Sequence, residues 1–403
     1  MSAHSRGGST VLTHTYRTCG EAGALAAVRV AASVTDPGFS FDEGLDSMSI
    51  STGKPARRRP TAGASGAIRR EFGSDLVHRL DQLCSHGRSE GPVDLSRDYL
   101  AAAVAAAVGT LVGGPIVPAL CAVYVGVRQR HLSNLTHECI HTKFTRSPRA
   151  NRIFGHLITV TLGEPFTPYK RSHRVHHARL GSPDDPMLRS YISRNANRRW
   201  PDTTAFVVHV IIKNAAWELP KFGFLTLAAK SRDETWTAAV SRWTAWVAAI
   251  ALAATCGHLT EFALYWALPL ICVRPVITWL TDLGNHAGLI ESDDPILQTR
   301  GWTSHALTRH LLGGHNDDMY HPIHHWCPNI GWRQLPAAAD ILRAEFPRWP
   351  EVPWCSGFFF RRRSTPDRPS VIEDIVVRLN SQTQQTRPIP GHHPAREERH
   401  ERQ

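Results

Sequence analysis

Histidine clusters are the residues of this sequence whose type and spacing could do chemistry. The chain has 23 histidines in 403 residues, and eight of them fall into one HxxxH and two HxxHH motifs. At this composition an HxxxH pair is expected about once by chance, but an HxxHH triplet in fewer than about 0.1 copies. The two triplets are therefore the strong signal. The clustered residues are His137, His141, His173, His176, His177, His321, His324 and His325.

The motifs predict metal binding. On a helix, positions i, i+3 and i+4 share one face, so we expect each HxxHH motif to direct three imidazoles at one point. Packed imidazoles without a cation gain nothing, whereas a metal that accepts neutral nitrogen explains the cluster. Because one ion takes only about four to six ligands, the count predicts two ions. We predict His286 as a ninth ligand and Asp282, one turn earlier, as a tenth; Asn285 is a competing polar candidate.

The donor set favours iron over zinc. Zinc is normally satisfied by four ligands and uses cysteine where it is available. An all-nitrogen dinuclear site suits iron and O₂, because iron changes oxidation state and can cleave an unactivated C–H bond. Ligating imidazoles usually have their second N–H held by an acid. The candidates for that role are Glu138, Asp184, Asp185, Asp317 and Asp318; the isolated histidines 131, 156, 209, 258, 305, 310 and 315 are predicted to be structural.

Two long apolar runs must position these motifs. Residues 99–127 carry no charge in 29 positions, which exceeds the roughly 20 residues of one membrane span. Gly113, Gly114 and Pro115 interrupt the run, so we predict a hairpin of two membrane helices, with a single tilted span as the alternative. Residues 243–280 predict a second hairpin, in which Arg274 must either snorkel or face the interior. The apolar but charge-containing stretch 204–229 is predicted to be interfacial.

The distribution of positive charge predicts on which side of the membrane the loops lie. Arginine and lysine cluster directly after the first hairpin, which predicts a cytoplasmic location for that region. An even number of spans returns the rest of the chain to the same face. The sequence thus predicts an all-α integral membrane protein of the cell inner membrane. It would have about four transmembrane helices in two hairpins, with a cytoplasmic helical cap that carries the histidine motifs.

The ends of the chain differ in composition from its middle. We predict a disordered basic leader over residues 1–75, a catalytic domain over 76–350 and a disordered Arg/Pro/His-rich tail over 351–403. Within this, the pattern of residues 72–84 predicts an amphipathic helix on a membrane surface or on the protein's own core. The net charge of +11 suits nucleic acid or anionic lipid, but nucleic-acid binding explains neither the hairpins nor the triplets. Eight cysteines without a CxxC pair argue against a disulfide framework and a zinc ribbon.

The order HxxxH, HxxHH, membrane hairpin, HxxHH over about residues 95–345 resembles the membrane fatty-acid desaturase superfamily. Related hydroxylases place the first two motifs closer together, whereas 31 residues separate His141 from His173 here. Met319 departs from the asparagine of many acyl-lipid members. The passages that carry the resemblance are NLTHECIH at 134–141, SHRVHH at 172–177 with GSPDDP at 181–186, NHAGL at 285–289 and YHPIHH at 320–325.

The resemblance implies that the nine histidines bind two iron ions, and that the centre uses O₂ as co-substrate to desaturate a fatty acid. The substrate would be a membrane lipid, an acyl-CoA or an acyl carrier, and Arg194, Arg198 and Arg199 could hold its anionic group. The sequence contains no dinucleotide, iron–sulfur or haem motif, so an external ferredoxin- or cytochrome-type donor with its reductase is implied. Two alternatives stay open. One is a hydroxylase- or ketolase-type tailoring oxygenase of a specialised metabolite; the other is a metal-binding membrane protein without catalysis.

Overall fold

The computed structural model describes residues 64–84 and 90–381, which are mostly helical. The helices are α1 (Ala64–Arg69), α2 (Ser74–Leu83), α3 (Gly91–Val112), α4 (Ile116–Ile140), α5 (Pro148–Thr161), α6 (Phe166–Ala178), α7 (Pro186–Ser193), α8 (Thr203–Phe206), α9 (Leu219–Ala228), α10 (Trp236–Thr255), α11 (Leu259–Phe262), α12 (Arg274–His286), α13 (Ala306–Leu311), α14 (Asn316–Met319), α15 (His321–Trp326), α16 (Leu335–Glu345) and α17 (Val371–Ser381). Strands β1 (Gly301–Thr303) and β2 (Trp354–Ser356) pair in parallel.

Four π-helical turns and one 3₁₀ turn complete the list of helical segments among the described residues. Two π-helical turns, Val207–Ile212 and Asn214–Glu218, join α8 to α9. Two more, Ala263–Ala267 and Pro269–Val273, join α11 to α12. A 3₁₀ turn, Trp349–Glu351, precedes β2. Because π-helical turns widen the helix and release backbone groups, they often occur near functional sites.

Two helical hairpins form where the apolar runs predicted them. Helices α3 and α4 are joined by a tight turn in which Gly113 and Gly114 have φ values of 68° and 70°, a region that glycine enters without steric cost. Helix α10 pairs with the continuous helix from α11 to α12. Among the described residues, three helices are long and apolar enough to cross a membrane: Gly91–Val112, Trp236–Thr255 and Leu259–His286. Helix α4 differs because its second half carries the first histidine motif and is polar.

Large apolar side chains point outward along these hairpins. Leu111 is 84 % exposed, Ile116 70 % and Leu252 65 %, which is unusual for a surface in water but fits a surface in lipid. The charge predicted to disturb the second hairpin turns inward. Arg274 pairs with Glu164 at 2.5 Å and donates to Ser133 Oγ at 3.2 Å, so the structure selects the interior-facing alternative.

Helix α2, which the pattern of residues 72–84 predicted, packs with α1 on the protein's own core. Ile68 and Leu80 are almost fully buried, and they share a cluster with Trp326 of α15 and Leu335 and Leu342 of α16. The apolar face predicted over residues 72–84 is therefore covered by protein. The same cluster includes Ile323 and Trp326 of the α15 motif segment.

Ordered helices and a strand occur outside the predicted catalytic domain, residues 76–350, at both of its ends. Helix α1 lies inside the stretch assigned to the leader. Its Ile68 is fully buried, and this side chain ties the helix to the core. Strand β2 and helix α17 lie inside the stretch assigned to the tail. Helix α17 is amphipathic, and its Ile375 and Leu379 pack against Leu283 of α12. The remaining parts of the predicted leader and tail, residues 1–63 and 382–403, lie outside the described residues.

The segment predicted to be interfacial, residues 204–229, forms the α8–α9 helix with its two π-helical turns. The carbonyl oxygen of Val210 in the first π turn accepts hydrogen bonds from Trp279 Nε1 at 2.9 Å and Asn214 Nδ2 at 2.7 Å. These bonds satisfy an acceptor that the regular helical ladder would otherwise use. They also fix this segment against α12, next to the metal-site residues described below. Its interfacial location stays a prediction.

Candidate metal centre

Four helices bring all nine predicted histidines together. The histidines lie toward the C-terminal ends of α4, α6 and α12 and along the short helix α15. The histidines form two groups in which the candidate ligand atoms all lie within 4.8 Å of one another. The five-His group is His137, His141, His173, His177 and His324; the four-His group is His176, His286, His321 and His325.

We predicted that each HxxHH motif would direct its three imidazoles at one point. The structure contradicts this, because both triplets are divided between the two groups. In α6, His173 and His177 join the five-His group whereas His176 joins the four-His group. In α15, the first and last histidines join the four-His group and His324 crosses to the other. Successive residues on a helix are about 100° apart, so positions i and i+4 nearly coincide while i+3 lies about 100° from i+4. Each HxxHH motif therefore reaches both groups, which lie side by side with His177 stacked on His325 at 4.2 Å.

The Nε2 atoms are spaced like ligand atoms around an ion. In the five-His group, His173 Nε2 lies 2.9 Å from His137 Nε2 and 2.8 Å from His141 Nε2. In the four-His group, His321 Nε2 lies 2.8 Å from His286 Nε2 and 3.1 Å from that of His325. Metal–nitrogen bonds of about 2.1 Å at right angles place neighbouring nitrogens about 3 Å apart. The observed spacing matches this value.

Two carboxylates fix the orientation of two imidazoles. His176 Nδ1 lies 2.9 Å from Asp185 Oδ1, and His137 Nδ1 lies 3.2 Å from Asp317 Oδ2. Asp185 is also the N-cap of α7, where it accepts the Met187 amide, so the residue that starts α7 also positions the motif in α6. A carboxylate only accepts, so Nδ1 carries the proton and Nε2 presents its lone pair.

Backbone carbonyls do the same for two further imidazoles. His286 Nδ1 lies 3.1 Å from the carbonyl oxygen of Gln298. His321 Nδ1 lies 3.0 Å from the carbonyl oxygen of Asp317. Two Nε2 lone pairs that face each other at about 3 Å repel unless a cation lies between them. The hydrogen-bond pattern therefore fits the bound metals that the histidine count predicted.

Burial keeps the imidazoles neutral. The pKa of His321 is lowered to about 3, first by burial and also by the neighbouring His176 and His137. Burial, followed by the charge of neighbouring imidazoles, likewise lowers the pKa values of His141, His173, His177, His324 and His325. A neutral imidazole is the form that binds a metal, so these groups need no deprotonation at neutral pH.

Asp317 is the acid that the geometry singles out. Its Oδ2 accepts from His137 and, at 3.1 Å, from His315 Nδ1. Burial acts to raise the pKa of Asp317, but the hydrogen bonds from these two imidazoles outweigh it and lower the pKa. The side chain thus stays a carboxylate. Since its backbone carbonyl holds His321, this one residue supports both groups.

Other predicted site residues take different places. Asp282 belongs to neither group, because it sits one turn, about 6 Å, before His286 and its side chain is short. Asn285 Oδ1 is engaged by Trp302 at 3.4 Å. Asp318 pairs with Arg130 at 2.9 Å and Asp184 with Arg179, so neither holds a ligand. Glu138 forms a third group with His137 and Asp317. The isolated histidines predicted to be structural stay outside the two groups among the described residues.

Sequence reasoning missed the Gln298 carbonyl and the double role of Asp317. No side-chain pattern marks a backbone acceptor, so the first had no signal. The second had one, since Asp317 lies four residues before His321, where a backbone carbonyl reaches the next turn. The arrangement as a whole can hold two adjacent ions with neutral nitrogen donors and oriented second N–H groups, and such a donor set suits iron.

Comparison with known proteins agrees with this site. Residues 113–355, more than half of the chain, match the model of the family described as fatty acid desaturase. The dihydrorhizobitoxine desaturase of Bradyrhizobium elkanii is 26 % identical over 329 residues, which cover 76 % of this chain and 90 % of that protein. The omega-3 fatty acid desaturase fat-1 of Caenorhabditis elegans is 32 % identical over 56 residues, 14 % of each chain. These matches confirm the resemblance seen in the histidine motifs, and the chain belongs to the fatty acid desaturase family.

Proposed function

We propose that this chain is an O₂-dependent di-iron desaturase that removes two hydrogens from an unactivated site in a lipid or acyl chain. One observation supports this above the others: the nine histidines divide into a group of five and a group of four. A donor set of neutral nitrogens for two adjacent ions suits a redox pair of iron ions.

The chain's own residues would prepare the site. The five-His and four-His groups would each hold one iron, and the pair would supply, when bound, the oxidising power of O₂ with electrons from an external donor. Asp185 and Asp317 hold His176 and His137 in the tautomer that binds metal. A separate ferredoxin or cytochrome with its reductase would deliver the electrons, because the sequence carries no dinucleotide, iron–sulfur or haem motif.

The membrane arrangement is part of the proposal. Both helices of each hairpin would span the bilayer, and the histidine groups would lie on the cytoplasmic side of the inner membrane. Support comes from the exposed leucines of the hairpins and from the arginines that follow α4. Helix α4 would cross with its apolar first half and carry His137 out of the lipid with its polar second half. The apolar hairpins would shield the substrate chain from water.

A second candidate function uses the same metal site on a different class of substrate. A tailoring oxygenase of the same family, acting as a hydroxylase or ketolase on a specialised metabolite, would use the same ligands. The names of the two relatives give different substrates, and the two proteins are matched over different shares of their length. The relative matched over 90 % of its length is named for dihydrorhizobitoxine, whereas the one named for an omega-3 fatty acid is matched over 14 %. A metal-binding membrane protein without catalysis is the third candidate, and it would form no product.

Metal content tests the proposal first. The full chain, purified in detergent, is expected to contain about two irons per molecule, and His176→Ala is expected to lose iron. His305→Ala is the matched control, since His305 is exposed and lies outside both groups. Stoichiometric zinc in place of iron would contradict the proposal.

Product analysis then identifies the reaction. The chain would be expressed with a ferredoxin or cytochrome reductase system, and lipids and small metabolites would be profiled by mass spectrometry. Products that have two hydrogens fewer than their substrates support desaturation, provided that they are absent from cells that express His176→Ala. Products that gain oxygen favour the tailoring oxygenase, and no product from an iron-loaded chain favours the non-catalytic candidate.

A further inference from the structure

One buried arginine lacks the partner that the others have. Five arginines are buried among the described residues, and burying a guanidinium is costly unless a carboxylate compensates its charge. Arg194, 8 % exposed, forms no ion pair with a described carboxylate. The other four are paired: Arg130 with Asp318 at 2.9 Å, Arg242 with Glu234 at 2.9 Å, Arg274 with Glu164 at 2.5 Å and Arg300 with Asp374 at 2.7 Å.

The free edge of Arg194 is well defined. Its guanidinium lies 5.4 Å from the ring centre of Trp279 and 5.6 Å from that of Phe222, so both rings hold it in place. Nη1 donates to Ser190 Oγ at 2.7 Å. Nε is buried without an acceptor, and Nη2 donates to no described residue. Nε and Nη2 form the edge that binds a carboxylate through two parallel hydrogen bonds.

Nearby acids do not fill this edge. Glu218 and Asp282 act on Arg194 electrostatically, but neither comes within the ion-pair distance that joins the other four arginines to their acids. Arg198 and Arg199, which the sequence placed beside Arg194 as anion-binding candidates, are exposed. The structure thus separates one buried cation with an open fork from two surface cations.

The position of Arg194 relates it to the metal centre. Trp279, which it stacks on, lies seven residues before His286 on α12, about 10 Å along the helix axis. Tyr191, one turn before Arg194, donates to the carbonyl oxygen of Asp282 and contacts Trp279 edge-to-face at 5.7 Å. Helix α7 and helix α12 are therefore locked together, and Arg194 contacts α12 at Trp279, on the helix that ends with His286.

We infer that the Nε–Nη2 edge of Arg194 binds a carboxylate of the substrate and thereby sets which carbons reach the ions. This inference rests on the proposed function and narrows its substrate class to molecules with a free acid group. A planar carboxylate fits the fork, and a guanidinium this deeply buried leaves little room for a bulky headgroup. An acyl chain esterified in a phospholipid lacks this group.

Binding of short amphiphiles tests the inference. Hexanoate, hexanamide and hexyl phosphate would be titrated into the iron-loaded full chain in detergent, and dissociation constants measured. We expect hexanoate to bind more tightly than hexanamide, which has the same length without the charge. Arg194→Gln should weaken hexanoate about 10- to 100-fold, the loss expected for charge-assisted hydrogen bonds. Arg194→Lys should recover part of the affinity because it restores the charge but not the fork. Arg198→Gln is the matched control and should bind hexanoate as the wild type does.

Several results would overturn the inference. If the wild type binds hexanoate and hexanamide equally, the inference is wrong. This comparison uses the wild type alone, so it holds even if Arg194→Gln fails to fold. Equal hexanoate binding by the wild type and a folded Arg194→Gln would also overturn the inference. Preference for hexyl phosphate would replace the carboxylate with a phosphate group. The same titration on chelator-treated chain separates the two proposals: Arg194-dependent binding in a chain that takes up no iron supports the carboxylate site and contradicts the proposed function.

Discussion

Replacing Asp317 by asparagine should release one of the two metals and leave the other. Asp317 Oδ2 accepts from both His137 and His315, at 3.2 and 3.1 Å. An asparagine side chain has one acceptor oxygen, and its nitrogen donates. In the variant, one imidazole loses its acceptor, and the tautomer that presents the His137 Nε2 lone pair is no longer enforced.

The size of the effect follows from the burial of the pair. Loss of a group that orients a metal ligand typically costs about 10- to 100-fold in metal affinity, or about 1.4 to 2.7 kcal/mol. We expect the upper half of this range because Asp317 is only 3 % exposed and water cannot take over. The effect should fall on the five-His group. His321, in the four-His group, uses the backbone carbonyl of Asp317, which the substitution retains.

Chelator competition measures this selectivity. The full chain would be loaded with iron in detergent and titrated with a coloured iron chelator. In Asp317→Asn, one iron should be extracted at about 10- to 100-fold lower chelator concentration and the second as in the wild type. Asp185→Asn is the mirror variant, since Asp185 holds His176 of the four-His group. Asp340→Asn, at an exposed position, is the neutral control.

Two outcomes would refute the reasoning. If Asp317→Asn retained both irons at wild-type affinity, the carboxylate would not determine the tautomer of His137. If both irons were lost together in Asp317→Asn and in Asp185→Asn alike, the two groups would not act as separate sites. A spectroscopic change confined to one iron in each variant would support the division into five and four histidines.

Three further predictions concern stability. Gly181→Ala should cost at least about 1–3 kcal/mol, because Gly181 has φ 72° and an added Cβ would lie 1.9 Å from the Ile290 carbonyl oxygen; denaturant unfolding measures this. Glu234→Gln should cost about 3 kcal/mol, since it leaves the buried Arg242 without its carboxylate, and the same unfolding experiment detects it. Two neighbouring guanidinium groups outweigh burial and lower the pKa of Asp374 below its ordinary 3.8. Its stabilisation should therefore be complete above that value and decline as the pH falls through the folded pKa, and Asp374→Asn should flatten this acid limb of an unfolding-versus-pH curve.

Each stability prediction has a matched control. Gly257→Ala has a similar φ of 74° but open space at its Cβ, so it should cost less than Gly181→Ala; an equal cost would show that backbone strain alone matters. Asp233→Asn removes a carboxylate from the exposed pair with Arg171 and should cost below about 1 kcal/mol; a loss equal to that of Glu234→Gln would contradict the burial argument. An unchanged acid limb in Asp374→Asn would assign the pH dependence to other groups.

Local pattern was enough to predict the two hairpins, helix α2 and the histidines that come together. The two long apolar runs predicted helical hairpins because length and hydropathy are properties of a continuous segment. The rarity of paired HxxHH motifs predicted which histidines would meet, and the structure brings all nine together. The amphipathic spacing around Leu76 and Leu80 predicted α2 correctly, but the sequence left open whether lipid or protein covers its apolar face.

Tertiary packing decided everything that depends on how the helices are rotated and what lies across from them. The assignment of His176 and His324 to the group opposite their neighbours required the angles between four helices. The same angles leave Asp282 out of the site and give Asp317 two imidazoles to hold. Arg194, Arg198 and Arg199 are equivalent cations in the sequence, and only the surroundings of each one distinguish them. A sequence records which donors and charges exist, whereas distance and burial, which set their energies, arise from contacts between residues far apart in the chain.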